Sequence, residues 1–398
     1  MDFLQDIVQE TPSKIVLLVL DGLGGLPLEH GGPTELEAAR IPNLDSLAQR
    51  SLCGLSQAVG VGITPGSAPG HLSLFGYDPV EHQVGRGVME ALGIDFPMVP
   101  GDVAARGNFC TVDGNGLVSD RRAGRISSSE AAALCRRLGQ VRLTQGQVFV
   151  EPVKEHRFVV VFRGRGLHQD VSDSDPQREG VAPLPVKAHS SQAEVMAATA
   201  NEFVLQARSV LAAERSGNMV LLRGFSEVPH LPSMAERYKL RPAAIASYPM
   251  YRGLAKLVGM KVLATGSTLG AEVDTLSKSY GDFDFFFIHY KDTDHYGEDG
   301  DFKAKVQALE EADAAIPRIL GLNPDVLMVA GDHSTPAALK GHSWHPCPFL
   351  LHSKWSRWGG AQRFTEPACA KGVLGTFPAV NALTLALAHA GKLAKFGP

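Results

Sequence analysis

The sequence predicts an α/β protein with a mainly parallel sheet, and three observations carry this prediction. Residues 15–20, IVLLVL, form an unbroken apolar run rich in β-branched side chains, as expected of a strand buried on both faces. Similar runs recur at 284–288 and 326–330, and each is followed at once by polar residues. Helical patterns alternate with these runs, at 41–48, 251–258 and 302–316. Such alternation is typical of a parallel sheet covered by helices.

Composition narrows the class of protein. Of the 398 residues, 44% are hydrophobic and 20% are charged, which is ordinary for a soluble globular chain. The net charge of -4 gives no global attraction to nucleic acid or to a membrane surface, and we expect neither as a partner. No stretch resembles a signal peptide or a membrane span, so we expect a cytoplasmic protein. The five cysteines are scattered and are predicted to be buried reduced thiols.

The middle of the chain differs from its two ends. Strand-like runs at 147–150 and 157–162 are separated by charged, turn-rich stretches such as 120–122 and 173–176. We interpret residues 99–239 as a second α+β domain. It is inserted between two halves, 1–98 and 240–398, of the domain that carries the long apolar strands.

Polar residues capable of binding metal follow the predicted strands. Asp21 follows the first run, Asp294 the second, and Asp332 and His333 the third, while His342 precedes a further short run at 348–351. Carboxyl ends of parallel strands share one sheet edge, where ligands bind in open α/β sheets. Carboxylates and imidazoles converging there are the donors that divalent metal ions require. Taken singly, each residue could instead be a helix cap or a solvated turn.

Ser67 lies in a small, glycine-flanked turn, GITPGSAPGHL, just before a helical pattern. Such a turn exposes a hydroxyl and presents backbone N–H groups at a helix start, which suits a phosphate. A serine hydroxyl becomes a good nucleophile once a base or metal lowers its pKa. Ser67 is therefore the predicted nucleophile of a phosphoryl transfer.

Many segments, in order along nearly the whole chain, resemble the archaeal-type branch of the cofactor-independent phosphoglycerate mutase family. They include VLDGLGGLP from Val19, ELEAARIPNLDSLA from Glu35, GITPGSAPGHLSLFGYDP from Gly62, GRGVMEALGI from Gly85, DRRAGRI from Asp120, HYKDTD from His289 and AGDHSTP from Ala330. The resemblance implies an alkaline-phosphatase-like, doubly wound, mainly parallel sheet with an inserted smaller α+β domain for substrate binding.

The resemblance also implies a reaction. The family interconverts 3-phosphoglycerate and 2-phosphoglycerate, in glycolysis and gluconeogenesis, through a phosphoserine and without 2,3-bisphosphoglycerate. The resemblance implies two divalent metal ions, with Mn²⁺ as the first choice and Mg²⁺, Co²⁺ or Zn²⁺ as alternatives. One would be bound by Ser67, Asp21, Asp332 and His333, and the other by Asp294 and His342. The oligomeric state is left open.

Further residues follow from the matched segments. Lys291 is a predicted catalytic residue, and an anionic phosphorylated substrate needs positive groups such as arginine forks. The predicted substrate-binding residues are Arg106, Arg125, Arg223 and Arg252.

At one position the sequence departs from the family. Relatives carry D-x-x-G-H after the equivalent of Asp294, and here the run is DHYGE, so Glu298 stands where a metal-binding histidine is usual. We predict that Glu298 ligates the second metal; otherwise His295 or His345 substitutes. Two other functions stay open: another phosphotransferase or phosphatase of the superfamily, such as a homoserine-kinase-like enzyme, or a catalytically impaired relative.

Overall fold

The computed structural model describes residues 4–357 and 361–397. Within them the strands are β1 (Ile15–Leu20), β2 (Leu52–Gln57), β3 (Val103–Val112), β4 (Val118–Asp120), β5 (Gln147–Lys154), β6 (Arg157–Arg163), β7 (Met219–Ser226), β8 (Pro242–Ile245), β9 (Lys261–Val262), β10 (Phe285–Tyr290), β11 (Val326–Ala330), β12 (Cys347–Ser353) and β13 (Thr376–Pro378). The helices are α1 (Leu4–Ile7), α2 (Glu35–Ala38), α3 (Pro42–Gln49), α4 (Ser67–Leu74), α5 (Arg86–Gly93), α6 (Ser128–Leu138), α7 (Glu194–Leu211), α8 (Met234–Tyr238), α9 (Pro249–Leu257), α10 (Leu269–Ser279), α11 (Asp292–Asp299), α12 (Phe302–Leu320), α13 (Glu366–Ala370) and α14 (Ala382–His389).

An eight-stranded sheet carries the long apolar runs, in the order β13-β2-β12-β11-β1-β10-β8-β9. The central strands β8, β10, β1 and β11 pair in parallel, and β12 runs antiparallel to β11 and β2. Every residue of β1, β10 and β11 is buried, which explains why β1 and β11 are apolar throughout and why β10 is apolar up to His289. The predicted α/β class with a mainly parallel sheet is confirmed.

A separate antiparallel sheet occupies the middle of the chain. Its order is β4-β3-β6-β5, and β7 pairs with β3. Helices α6 and α7 contribute to the apolar core formed with this sheet, which includes Phe109, Phe158 and Phe203. The strand-like runs predicted at 147–150 and 157–162 lie in β5 and β6.

The chain divides into two compact units, one of 1–83 with 231–398 and the other of 84–230. Each unit is compact in itself, and the inserted domain at 99–239 stays a prediction. Helix α5 belongs to the second unit because Val88 and Ala91 pack with Ala104 of its sheet. Helix α8 belongs to the first unit because the Tyr238 hydroxyl donates a hydrogen bond of 2.8 Å to the carbonyl of Gly76.

The cysteines and the helix lengths were both subjects of the sequence predictions. All five cysteines are buried free thiols, as predicted. Among residues 4–357 and 361–397, no helix is both long enough and apolar enough to cross a membrane.

Candidate functional site

Three neighbouring strands of the large sheet deliver polar side chains to one edge. Asp21 is the first residue after β1, Lys291 the first after β10, and Asp332 the second after β11. Because β1 pairs in parallel with both β10 and β11, these residues meet at the carboxyl edge of the sheet. The first unit thus gathers the predicted strand-end residues into one site.

The innermost cluster consists of Asp21, Asp332 and His333, all buried. Nε2 of His333 lies 3.2 Å from Oδ1 of Asp21 and 3.1 Å from Oδ2 of Asp332. Neither contact is aligned for a hydrogen bond, and these two oxygens accept none from any described residue. Buried carboxylate oxygens without a partner are costly unless a cation neutralises them. The donor set therefore fits one divalent metal ion.

A second group of donors lies beside the first. Oδ1 of Asp294 is 3.6 Å from Nε2 of His342, and the rings of His342 and His333 stack with centroids 3.7 Å apart. Together the three residues could hold a metal ion. The hydroxyl of Thr335 donates to Oδ1 of Asp294 at 2.6 Å and lies 3.0 Å from Nδ1 of His333. Since that hydroxyl proton goes to Asp294, Nδ1 of His333 donates to Thr335, which leaves Nε2 as the nitrogen available to a metal.

Ser67 is the first residue of helix α4, and the N-cap residue before it is Gly66, so no side chain caps this helix start. Its Oγ forms a hydrogen bond of 3.2 Å with Nε2 of His333. The preceding turn is held in place by Nδ1 of His342, which donates to the carbonyl of Pro65 at 2.9 Å. The structure therefore puts the predicted nucleophile against the imidazole that both donor groups share, at a helix start suited to a phosphate.

Lys291 lies between the two donor groups. Its Nζ donates to Oδ2 of Asp21 and to the hydroxyl of Tyr251, each at 3.0 Å, and to Oδ2 of Asp294. Burial alone would lower the pKa of Lys291, but the charges of Asp21 and Asp294 raise it well above its ordinary value. The side chain is therefore a permanent cation between two carboxylates.

The charges of the innermost cluster depend on one another. Burial alone would raise the pKa of Asp21, yet Lys291 and a hydrogen bond from His289 hold it well below the usual range. Burial and Asp21 would raise the pKa of Asp332, which the charge of His333 lowers. Burial would lower the pKa of His333, but Asp332 and Asp21 raise it to about 9. The cluster is thus built to hold a positive charge beside two ionised carboxylates.

Two buried histidines beside the cluster were not assigned from the sequence. Nε2 of His289 donates to Oδ2 of Asp21 at 2.9 Å. Nδ1 of His71 donates to the carbonyl of Ser67 at 2.8 Å and lies 3.1 Å from Oδ2 of Asp332. Such contacts fix the orientation of carboxylate ligands. The only signal available was that both histidines lie within the segments that carry the family resemblance.

Glu298 is on helix α11, one turn after Asp294, with 54% of its side chain exposed. Its Oε1 is 3.8 Å from Nε2 of His342. The two alternatives lie elsewhere: His295 is exposed and 3.6 Å from Asp299, and Nδ1 of His345 contacts the hydroxyl of Ser343. Of the three, Glu298 is the one in contact with a donor of the site.

The predicted substrate-binding arginines are divided between the two units. Arg252 lies on α9 in the first unit. In the second unit, Arg106 on β3 is paired in register with Arg223 on β7, and Arg125 is exposed at the end of a short 3-10 helix, Ala123–Arg125. Burial, followed by the charge of Arg86, lowers the pKa of Arg106 to about 10. Arg86, which sequence reasoning missed although it lies in a matched segment, thus completes a cluster of mutually repelling cations.

Acidic side chains among the described residues offset part of this charge. Glu90 is 3.7 Å from Arg106, and Asp175 is 3.9 Å from Arg223. Asp175 also pairs with Arg121 at 2.8 Å, and the charge of Asp173 acts on Arg223 as well. A partly buried and partly neutralised cluster of guanidinium groups is suited to binding an anion.

The fold and the site define an α/β protein with a candidate two-part metal centre beside a serine. A sequence model of the family described as 2,3-bisphosphoglycerate-independent phosphoglycerate mutase matches residues 48–216. Proteins from Thermotoga neapolitana and Thermus thermophilus, each named as a probable enzyme of that kind, are 51% identical, and both alignments cover 99% of this chain and 98% of the relative. The chain belongs to the 2,3-bisphosphoglycerate-independent phosphoglycerate mutase family.

Solved structures agree with this assignment. A cofactor-independent phosphoglycerate mutase from Thermoplasma acidophilum is 28% identical with a TM-score of 0.69, covering 95% of this chain and 100% of that one. A protein from Pyrococcus horikoshii is 27% identical with a TM-score of 0.84, covering 98% of this chain and 100% of that one. The resemblance noted in the sequence is therefore confirmed.

Proposed function

We propose that this chain interconverts 3-phosphoglycerate and 2-phosphoglycerate through a phosphoserine at Ser67. The observation that carries the proposal is the hydrogen bond of 3.2 Å between Ser67 and His333, the imidazole shared by both donor groups. The full-length relatives are named for this activity, which supports it. The proposed substrates belong to glycolysis and gluconeogenesis, so we place the proposed activity in the cytoplasm.

The residues fit two divalent metal ions. Asp21, Asp332 and His333, with the Ser67 hydroxyl, would hold one, since their inner oxygens lack other partners. When bound, the ions supply Lewis-acid chemistry, lowering the pKa of the serine hydroxyl and neutralising phosphoryl oxygens. An oxygen-rich donor set favours Mn²⁺ or Mg²⁺ over Zn²⁺, with Co²⁺ also accommodated.

Glu298 is proposed to complete the second donor group. His333 could serve either donor group, but its Nδ1 is engaged with Thr335. Its one remaining nitrogen, Nε2, faces Asp21, so we assign His333 to the Asp21 group. Asp294 and His342 then require another protein donor to bind the second metal ion. The Glu298 carboxylate, 3.8 Å from His342, is positioned for that role.

Ser67 would carry the phosphoryl group between the two positions of glycerate. Its Oγ loses its proton and forms a bond to phosphorus as the bond from phosphorus to the C3 oxygen breaks, and the C3 oxygen takes up a proton. The C2 hydroxyl then loses its proton and bonds to phosphorus as the bond from phosphorus to Ser67 Oγ breaks, and Oγ takes up a proton. The first N–H groups of α4 are proposed to hold the phosphoryl oxygens during both transfers.

Lys291 is proposed to act as a fixed positive charge. It holds the Asp21 and Asp294 carboxylates in place through its hydrogen bonds. Its raised pKa keeps it protonated at neutral pH, so it can attract the phosphoryl oxygens that approach Ser67. A lysine with this environment is unsuited to act as a general base.

The arginine cluster of the second unit is proposed to bind an anionic part of the substrate. Its partial burial and mutual repulsion leave positive charge that an anion would relieve. Arg106 and Arg223 are the members that sequence analysis named, and Arg86 joins them. Arg125 and Arg252 are proposed to make further contacts. In this account the second unit serves as the substrate-binding domain.

Product analysis tests the proposal directly. Purified protein is incubated with 3-phosphoglycerate and Mn²⁺ in the absence of 2,3-bisphosphoglycerate. The products are identified by nuclear magnetic resonance. We expect 2-phosphoglycerate, and no acceleration when 2,3-bisphosphoglycerate is added. Free phosphate with glycerate would indicate a phosphatase, and absence of any product with each of Mn²⁺, Mg²⁺, Co²⁺ and Zn²⁺ would indicate an impaired relative.

A further inference from the structure

A fully buried lysine lies beneath the candidate metal centre. Lys305, on helix α12, has no solvent exposure. Its Nζ donates hydrogen bonds to the carbonyls of Gly22, Gly24 and Thr335, at 3.0, 3.0 and 2.8 Å. Burying an ammonium group costs free energy, and burial lowers the pKa of Lys305. The three carbonyl acceptors, one for each N–H of the ammonium group, offset this cost.

The three carbonyls belong to the loops that carry the predicted ligands. Gly22 directly follows Asp21, and its N–H donates to Oδ1 of Asp332 at 3.2 Å. Thr335 contacts both Asp294 and His333 through its hydroxyl. One ammonium group therefore joins the loop after β1 to the loop after β11, at the residues that orient both donor groups.

Buried carboxylates support the same two loops. Oε1 of Glu35 is 3.9 Å from Nζ of Lys305 and accepts a hydrogen bond of 2.7 Å from the N–H of Ala337. Oε2 of Glu35 accepts one of 3.1 Å from Leu26. Glu366 accepts the N–H of Gly25 at 2.9 Å. The lysine binds loop carbonyls and the carboxylates bind loop N–H groups, so together they restrain both loops.

The loops have little room to rearrange around this group. A Cβ on Gly24 would lie 1.9 Å from the Ser334 hydroxyl oxygen, and one on Gly25 would lie 1.9 Å from a carboxylate oxygen of Glu35. Backbone this close to its neighbours transmits a displacement at Lys305 to adjacent residues. Asp21 and His333 are among those residues.

We propose that Lys305 is a positioning residue for the metal centre, setting the geometry of Asp21, His333 and Asp294 without touching substrate. This inference rests on the proposed function, because it requires that those residues bind metal. Groups that orient metal ligands are worth about 10- to 100-fold in metal affinity. Loss of Lys305 should therefore weaken metal binding by about that factor, in excess of any effect on stability.

The chain offers a matched control. Lys392 has 1% exposure, donates to the carbonyl of Thr11 at 2.8 Å and lies 4.0 Å from Asp284, away from the predicted ligands. Lys305→Met removes three hydrogen bonds to carbonyls and Lys392→Met removes one, so both should lower the urea midpoint of unfolding. Only Lys305→Met should also weaken Mn²⁺ binding.

The experiment is Mn²⁺ titration of the metal-free wild type and of both variants by calorimetry, with circular dichroism to verify folding. We expect Lys305→Met to bind Mn²⁺ at least about tenfold more weakly, and Lys392→Met to bind as the wild type does. Lys305→Gln, which keeps an amide donor for some of the carbonyls, should give an intermediate loss.

Each other outcome is decisive. Wild-type Mn²⁺ affinity in folded Lys305→Met or Lys305→Gln overturns the inference while leaving the proposed function intact. If Lys305→Met and Lys305→Gln both fail to fold while Lys392→Met folds, Lys305 is needed for folding, and the inference is equally wrong. A wild type that binds no Mn²⁺, Mg²⁺, Co²⁺ or Zn²⁺ would instead contradict the metal centre of the proposed function.

Discussion

The Ser67 hydroxyl and Nε2 of His333 form a hydrogen bond of 3.2 Å, although 266 positions separate the two residues in sequence. Helix α4 brings the serine to this point, and the loop after β11 brings the histidine. The same nitrogen faces the unpartnered oxygens of Asp21 and Asp332. The predicted nucleophile and the predicted metal ligands are thus in direct contact with one another.

The first prediction concerns the innermost cluster. Asp332→Ala should abolish detectable turnover and reduce bound metal by about one equivalent per chain, because it removes an essential charged donor. His333→Ala should do the same. Metal is counted by inductively coupled plasma mass spectrometry after gel filtration. Asp284→Ala, which alters a buried carboxylate paired with Arg241, is the control and should keep its metal. Unchanged metal content in Asp332→Ala would contradict the assignment.

Glu298 provides the second prediction. Glu298→Ala should lower the affinity for the second metal equivalent by about tenfold or more, because the Asp294 and His342 pair loses its additional donor. Glu298→His, which restores the family pattern, should keep two metals and shift preference towards Zn²⁺ or Co²⁺. Asp299→Ala is the control, since Asp299 is exposed on the same helix and pairs with His295. Full activity and metal content in Glu298→Ala would show that Glu298 is not a ligand.

Substrate binding by the second unit is the subject of the third prediction. Arg125→Ala should raise KM for 3-phosphoglycerate by about tenfold, the effect expected when a charged hydrogen bond to an anion is lost. The neighbouring exposed Arg122 gives a control of equal charge, and Arg122→Ala should leave KM near the wild-type value. Steady-state kinetics with thermal unfolding of each variant separates binding from stability. If KM and the fraction of substrate hydrolysed both stay unchanged, Arg125 has no role in binding.

The fourth prediction concerns pH and the buried Glu272. Burial raises its pKa from 4.5 to about 9, so the folded state keeps a proton that the unfolded state releases above pH 4.5. Stability should therefore fall as pH rises from about 4.5 to about 9. Glu272→Gln should remove this dependence and stabilise the protein at pH 8, by an amount on the order of a few kcal/mol. Urea unfolding at several pH values between about 4.5 and about 9 measures this dependence of stability on pH.

A nearby acid serves as the control for that measurement. Asp274 is on the same helix but 59% of its side chain is exposed, and Asp274→Asn should show the wild-type dependence on pH. Identical slopes for the wild type and Glu272→Gln would mean that Glu272 is ionised in the folded protein at neutral pH.

Much of the site could be predicted from the sequence because apolar runs reveal buried strands. A fully buried parallel strand has to be apolar, so the polar residue that follows it is easily recognised at the sheet edge, as with Asp21 and Asp332. Ser67 was found differently, through the glycine-flanked turn before a helix. In both cases the local pattern contains the physical cause of the position.

Other features depend on partners that local patterns do not reveal. Lys305 resembles any lysine of an amphipathic helix, and its burial follows from loops some 280 positions away. His71 and His289 could not be placed beside the cluster from the sequence, because the carboxylates that they approach, Asp332 and Asp21, lie on other elements.

The central claim is that Ser67 carries the phosphoryl group. The most direct measurement is rapid quenching of the protein after mixing with 3-phosphoglycerate and Mn²⁺, followed by peptide mass spectrometry. We expect one phosphate on the peptide containing Ser67 within the first turnover. We also expect Ser67→Ala to be folded and metal-bound but slower by about a thousandfold or more. Formation of 2-phosphoglycerate with no phosphate on Ser67, or more than a few per cent of activity in Ser67→Ala, would contradict the claim.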